Sequence, residues 1–147
     1  MDSHTHSHCK YYNIASEFSV ADLAAFHGHL GPYIVLGYRI GKYARQHFCD
    51  DPFEMSAEVH CAGVPPQSCL ADGVQLGSGC TLGKRNIEIV PSEQVRCRFS
   101  ANGKTITFIP RPFPLPPKDG DYEANIEAVA ETMYHLSPDE LFEIAVN

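Results

Sequence analysis

Two short stretches carry residue types that do chemistry. "HGHLGP" sets His27 and His29 one residue apart, around Gly28 and just ahead of Gly31 and Pro32. "CLADGVQLGSGC" sets Cys69 three residues before Asp72, with Cys80 following the Gly77-Ser78-Gly79 turn. Imidazole and thiolate are ligands for borderline and soft metal ions. His27, His29, Cys69 and Cys80 together make a tetrahedral zinc set, while fewer ligands plus a water make a Lewis-acid site. The spacing leaves that choice open. It also suits a reactive thiolate: Lys84 and Arg85 follow Cys80, and a nearby cation lowers a thiol's pKa. Cys69 or Cys80 would then be the nucleophile, with His27 as base. The competing reading is packing, with His27 in the core, His29 in solvent and both cysteines acting as small buried hydrophobes.

Other donors lie elsewhere. His4, His6 and His8 alternate ahead of Cys9. In an extended segment the three rings point one way, as a metal-capturing arm would need. His60 and Cys61 end a strand, so one of them faces the core and can support the site. His47 and Cys49 sit at a helix end, where a cation suits the dipole, and read as structural. Cys97 alternates with Val95 and Phe99 and reads as core.

The elements that must position these residues follow from breakers and periodicity. Ser19 with Asp22 three residues later is a capping-box signal for a short helix that breaks at "HGHLGP". Pro32 can open a second helix at its first turn. Gly37 and Gly41, four apart, would let another element come close. Phe53 to Cys61 reads as a strand, Gln67 to Leu76 as a third helix, and Ile87 to Val90 as a short strand. Val95 to Ser100 and Lys104 to Ile109 flank Asn102-Gly103, a hairpin signal. Five prolines between Pro110 and Pro117 favour an extended linker. Tyr122 to His135 is amphipathic, and Ser137-Pro138 starts a final helix to about Val146. The expected fold is one α+β domain: helices on one mixed sheet of about four strands, in the order helix-helix-strand-helix-three strands-helices. Its parts are a His-rich arm (1–15), a core (16–109), a proline-rich linker (110–121) and C-terminal helices (122–147).

Composition bounds the function. The chain has 147 residues, enough for one domain with a real core. Its net charge is -7 and it has no Lys/Arg-rich run, so nucleic acid is a poor partner. No run of about 18 apolar residues suggests a membrane span. The N-terminal stretch lacks a signal-peptide layout, so a cytoplasmic location is expected. There, the six cysteines are expected as ligands, catalytic thiols or core residues rather than disulfides. No CxxC, GxGxxG or P-loop pattern occurs.

Taken together, "FHGHLGPYIVLGYRIGKYA" and "CLADGVQLGSGCTLGKRNI" resemble the E-subunit family of formylmethanofuran dehydrogenase, from Phe26 to about Ile109. The chain would be a stand-alone core without the four-cysteine zinc ribbon of many relatives. The resemblance implies an α+β core, an often intertwined homodimer and a metal-binding cleft. It carries over to His27, His29, Cys69, Asp72, Cys80, Thr81, Lys84 and Asn86. On this reading His27 and Cys69 lead the metal ligands, followed by His29 and Cys80, with His4, His6 and His8 as a secondary set. Asp72 is a ligand, a partner orienting a histidine, or a base. The expected cofactor is a divalent transition metal, zinc foremost. The expected role is accessory to molybdenum or tungsten enzyme chemistry, with such an enzyme as partner, or metal handling. The alternatives are a small enzyme built on Cys69 and Asp72 or on a metal-activated water, and a non-catalytic assembly module.

Overall fold

The structure, a computed structural model, describes residues 9–15 and 17–147; His4, His6 and His8 lie outside the described residues. Ser19 caps α1 (Val20–His27) through the expected capping box: its hydroxyl accepts from the Asp22 amide at 3.1 Å, and Asp22 accepts from the Ser19 amide at 2.9 Å. Gly28 ends α1 in the left-handed region at φ 107, where a side chain would be strained. The chain turns at once into α2 (Pro32–His47), with Pro32 in its first turn.

Next come β1 (Ser56–Cys61), a single 3-10 turn (Gln67–Cys69), α3 (Leu70–Ser78) and β2 (Ile87–Pro91). β2 runs parallel to β1, so α3 is the crossover helix of a βαβ unit. β3 (Arg96–Ala101) and β4 (Lys104–Pro110) form the hairpin across Asn102-Gly103 and add antiparallel to β1. α4 (Tyr122–His135) has the bounds that its periodicity predicts.

The last segment differs from the expected helix. Ser137 caps only one turn, α5 (Pro138–Leu141), and β5 (Phe142–Val146) then pairs antiparallel with β4. Phe142, Ile144 and Val146 alternate with Glu143 and Ala145, a period of two that a strand against a sheet satisfies and a helix does not. The mixed sheet therefore has five strands, in the order β2-β1-β3-β4-β5.

Helices cover one face of this sheet. Val59, Cys61, Cys97, Phe99, Phe108 and Phe142 on that face are buried, and Cys97 is a core residue as its alternation predicts. α2 and α3 pack backbone against backbone. A methyl at Gly37 would overlap the Leu70 carbonyl oxygen, and one at Gly73 would overlap that of Ile34. The close approach expected at Gly37 and Gly41 is thus real, and Gly73 and Gly77 on α3 are its other half. α4 is pinned onto α2. The Arg39 guanidinium donates to the Met133 and Tyr134 carbonyls at 3.1 and 2.8 Å, both in the last turn of α4. Among the described residues no helix is long and apolar enough to cross a membrane.

Candidate functional site

The packing brings the first turns of α2, α3 and α4 to one end of the helical layer. A cavity of about 220 Å³ opens there. His27, His29 and Cys69 line it on one side; Tyr33, Tyr122 and Ile126 line it on another. Local rules explain the histidines. α1 stops at His27, the left-handed Gly28 reverses the chain, and the His29 ring lies over Gly31, whose added methyl would meet His29 Cε1 at 3.2 Å. The two rings end with centroids 5.1 Å apart. Two imidazoles on one tetrahedral ion, each at about 2.0–2.1 Å, have centroids about 5 Å apart, so this pair fits one ion.

Asp72 lies one turn along α3 from Cys69, and its Oδ2 is 2.6 Å from His27 Nδ1. A carboxylate only accepts, so Nδ1 carries the proton and donates it to Asp72. In the neutral imidazole with that tautomer, Nε2 keeps the lone pair that a metal or a proton would take. This is the carboxylate–histidine arrangement that orients metal ligands.

Cys69 is half-buried. Burial, and then the Asp72 carboxylate, push its thiol up from the ordinary value. Three helix N-termini favour negative charge at this end, yet desolvation is the larger influence, and no Lys or Arg lines the cavity. The thiol is therefore a proton-bearing group until a cation arrives. Among the described residues no three His, Cys, Asp or Glu side chains converge closely enough to hold an ion outright. The chemistry of the donors still fits one: two imidazoles and a thiol are a borderline-soft, three-ligand set with a fourth position open.

Cys80 does not join this group. It follows the far end of α3, a helix whose nine residues span about 13 Å. It is buried, with its thiol donating to the Met55 carbonyl at 3.4 Å, and burial pushes its pKa up despite Lys84. The rest of the "GCTLGKRN" motif closes on itself. Lys84 Nζ donates to the Gly79 carbonyl and to Thr81 Oγ1, and Asn86 accepts from the Thr81 amide while donating to the Pro52 and Met55 carbonyls. Thr81, Lys84 and Asn86 are thus the clasp of a turn. The reason is separation: the sequence brings Cys80 near Cys69 in number, and a straight helix holds them apart.

His60 points to the uncovered face of the sheet, with Nε2 3.0 Å from Glu58 Oε1, so the inward residue of that pair is Cys61. His47 packs on the Tyr43 ring and Cys49 donates to the Asp51 carbonyl, both at the end of α2 away from the cavity. The sequence reading missed the opposite wall. Tyr33 meets Phe113 edge-on at 5.3 Å, which folds the proline linker back so that Leu115 reaches the cavity. Tyr122, Glu123 and Ile126 arrive with α4. The apolar spacing of α4 was the one signal that it docks somewhere.

The fold and site define a small α+β domain with a histidine- and cysteine-lined cavity where three helices begin, one of its histidines held by an aspartate. The chain belongs to the FmdE family, described as molybdenum formylmethanofuran dehydrogenase operon, which it matches over residues 26–143. It is also 38% identical over 64 residues to a protein of Archaeoglobus fulgidus named "Probable S-adenosyl-L-methionine-binding protein". That match takes in 42% of this chain and 18% of the relative, so this chain spans less than a fifth of that protein's length.

Proposed function

We propose that this FmdE-family chain is a metal-binding accessory protein, with one divalent ion, zinc foremost, held by His27, His29 and Cys69. The observation that carries the reading is the His27–Asp72 bond, which occupies Nδ1 of an imidazole lining a cavity shared with a second imidazole and a thiol. When bound, such an ion supplies Lewis-acid chemistry at an open coordination position. The residues have separate tasks. Asp72 holds the His27 tautomer and ring. Cys69 gives up its proton on loading and becomes a thiolate. Tyr33, Tyr122, Leu115 and Ile126 form the apolar wall that limits water at the open side.

The role beyond the ion is proposed from the family's description: a task beside molybdenum or tungsten enzyme chemistry, or metal handling, carried out by a homodimer in the cytoplasm. The reading of Cys69 as a nucleophile has weaker support. Its thiol is pushed up rather than down, and Lys84, the cation that would activate a thiol, is spent on the Gly79 carbonyl and Thr81. The S-adenosylmethionine in the Archaeoglobus protein's name is not carried over on so small a share of that protein.

Equilibrium dialysis against zinc, followed by elemental analysis, tests the reading. The expected result is an ion retained by the wild-type chain and lost from the His27→Ala, Cys69→Ala double variant. Metal content unchanged by that double substitution would refute it.

A further inference from the structure

The cavity at His27 has two unlike sides, and their contrast describes what it can hold. The donors His27, His29 and Cys69 lie on one side. On the other, Tyr33, Leu115 and Ile126 form an apolar wall. The linker builds part of that wall. The Phe113 ring meets Tyr33 edge-on at 5.3 Å, and Leu115 follows two residues later. Ile126, in the first turns of α4, is buried. Burial alone raises the Tyr33 hydroxyl above its ordinary range, as expected of a side chain that meets little water.

Size and charge narrow the occupant. A volume of about 220 Å³ corresponds to about seven waters at about 30 Å³ each. Against Tyr33, Leu115 and Ile126 such waters find few partners, and replacing poorly held water with an apolar group gains affinity. An apolar cavity of about 150 Å³ takes one benzene ring, so this one takes a ring with a short substituent. The lining includes Glu123 but no Lys or Arg, so a phosphate or a nucleotide finds no cationic side chain there.

We propose that the cavity takes a compact ligand made of one ring-sized apolar body and a single neutral nitrogen, oxygen or sulfur donor. The body packs on Tyr33, Leu115 and Ile126, and the donor fills the open position of the ion on His27, His29 and Cys69. Only the placement of the donor rests on the metal reading above. The wall selects the ring with or without the ion. Leu115 and Ile126 are then the residues that set specificity, one from the linker and one from α4.

Calorimetric titration of the full chain with imidazole and with 4-phenylimidazole tests this, because both carry the same donor and only the second carries the added ring. On the zinc-loaded chain 4-phenylimidazole should bind at least about tenfold more tightly, a modest share of what burying a phenyl ring can contribute. On the metal-free chain adenosine 5′-monophosphate should bind at least about tenfold more weakly than 4-phenylimidazole. Leu115→Trp fills the mouth from a half-exposed linker position, and Ile126→Ala removes part of the wall. Each should narrow the difference between the two imidazoles, with folding checked by circular dichroism; Leu115→Trp alone decides if Ile126→Ala unfolds. The proposal is overturned if the two imidazoles bind equally, if the nucleotide binds as tightly as 4-phenylimidazole, or if Leu115→Trp leaves the preference intact. A chain that retains no zinc yet still prefers 4-phenylimidazole refutes the metal reading and keeps the ligand class. A chain that retains zinc without that preference does the reverse.

Discussion

The Asp72 carboxylate meets His27 Nδ1 at 2.6 Å, joining the last residue of α1 to the first turn of α3 across 45 residues of sequence. The bond occupies Nδ1 and leaves Nε2 as the other ring nitrogen of an imidazole that lines the cavity. It also places a negative charge close to Cys69, where it disfavours the thiolate. A bound cation would reverse that second effect, so ligand orientation and thiol ionisation are coupled through one carboxylate.

Replacing that carboxylate separates its roles from the fold. Asp72→Asn keeps the side-chain shape but loses the charge that fixes the His27 tautomer. Zinc affinity, measured by competition with a chelating dye, is expected to fall about 10- to 100-fold. Asp72 is 38% exposed, so the midpoint of urea unfolding should hardly move.

The thiol offers a pH test. Cys69 is pushed above the usual value of 9.0 by burial and by Asp72, and a raised thiol pKa means the protonated form persists to higher pH. In metal-free protein, iodoacetamide should modify Cys69 with a midpoint above that value. Asp72→Asn, by removing the like charge, should shift the midpoint down. Zinc should block modification at every pH below it. A metal-free midpoint near neutrality would instead favour the nucleophile.

How much of this was legible in the sequence depends on range. Capping at Ser19, the break at Gly28, the helix start at Pro32 and the Asn102-Gly103 hairpin are local rules, and each element sits where its residues place it. β5 was misread because Ser137-Pro138 is a valid helix start, and only the alternation after Phe142 contradicts a long helix. The candidate site was half legible. His27, His29, Cys69 and Asp72 were singled out by type and spacing, and the fold brings them to one end of the helical layer. Cys80 was included because turns hide distance: the rise of α3 takes it away from the others. Tyr33, Leu115 and Glu123 carry no local signal, since what makes them a wall is the return of the linker and α4 across α2.

The helix contact under the site can be tested by a single methyl. Gly73→Ala would drive its Cβ into the Ile34 carbonyl, and backbone cannot move aside as a side chain can. Unfolding free energy from urea titration is expected to fall by about 3 kcal/mol, the upper end for overpacking. Zinc affinity should fall with it, because α3 carries Asp72 and Cys69 directly precedes it. Gly83→Ala, whose added methyl meets nothing within 4 Å, is the matched control and should change neither.

The proposed ion on His27, His29 and Cys69, with Cys80 taking no part, has a distinctive coordination shell. Zinc-edge X-ray absorption reads that shell on a chain loaded with one equivalent and with His4, His6 and His8 changed to Ala and Cys9 to Ser. The predicted first shell is one sulfur at about 2.3 Å and lighter nitrogen or oxygen neighbours at about 2.0–2.1 Å, with the sulfur lost in Cys69→Ser and unchanged in Cys80→Ser. Two sulfurs, or a sulfur that disappears with Cys80 rather than with Cys69, would contradict it.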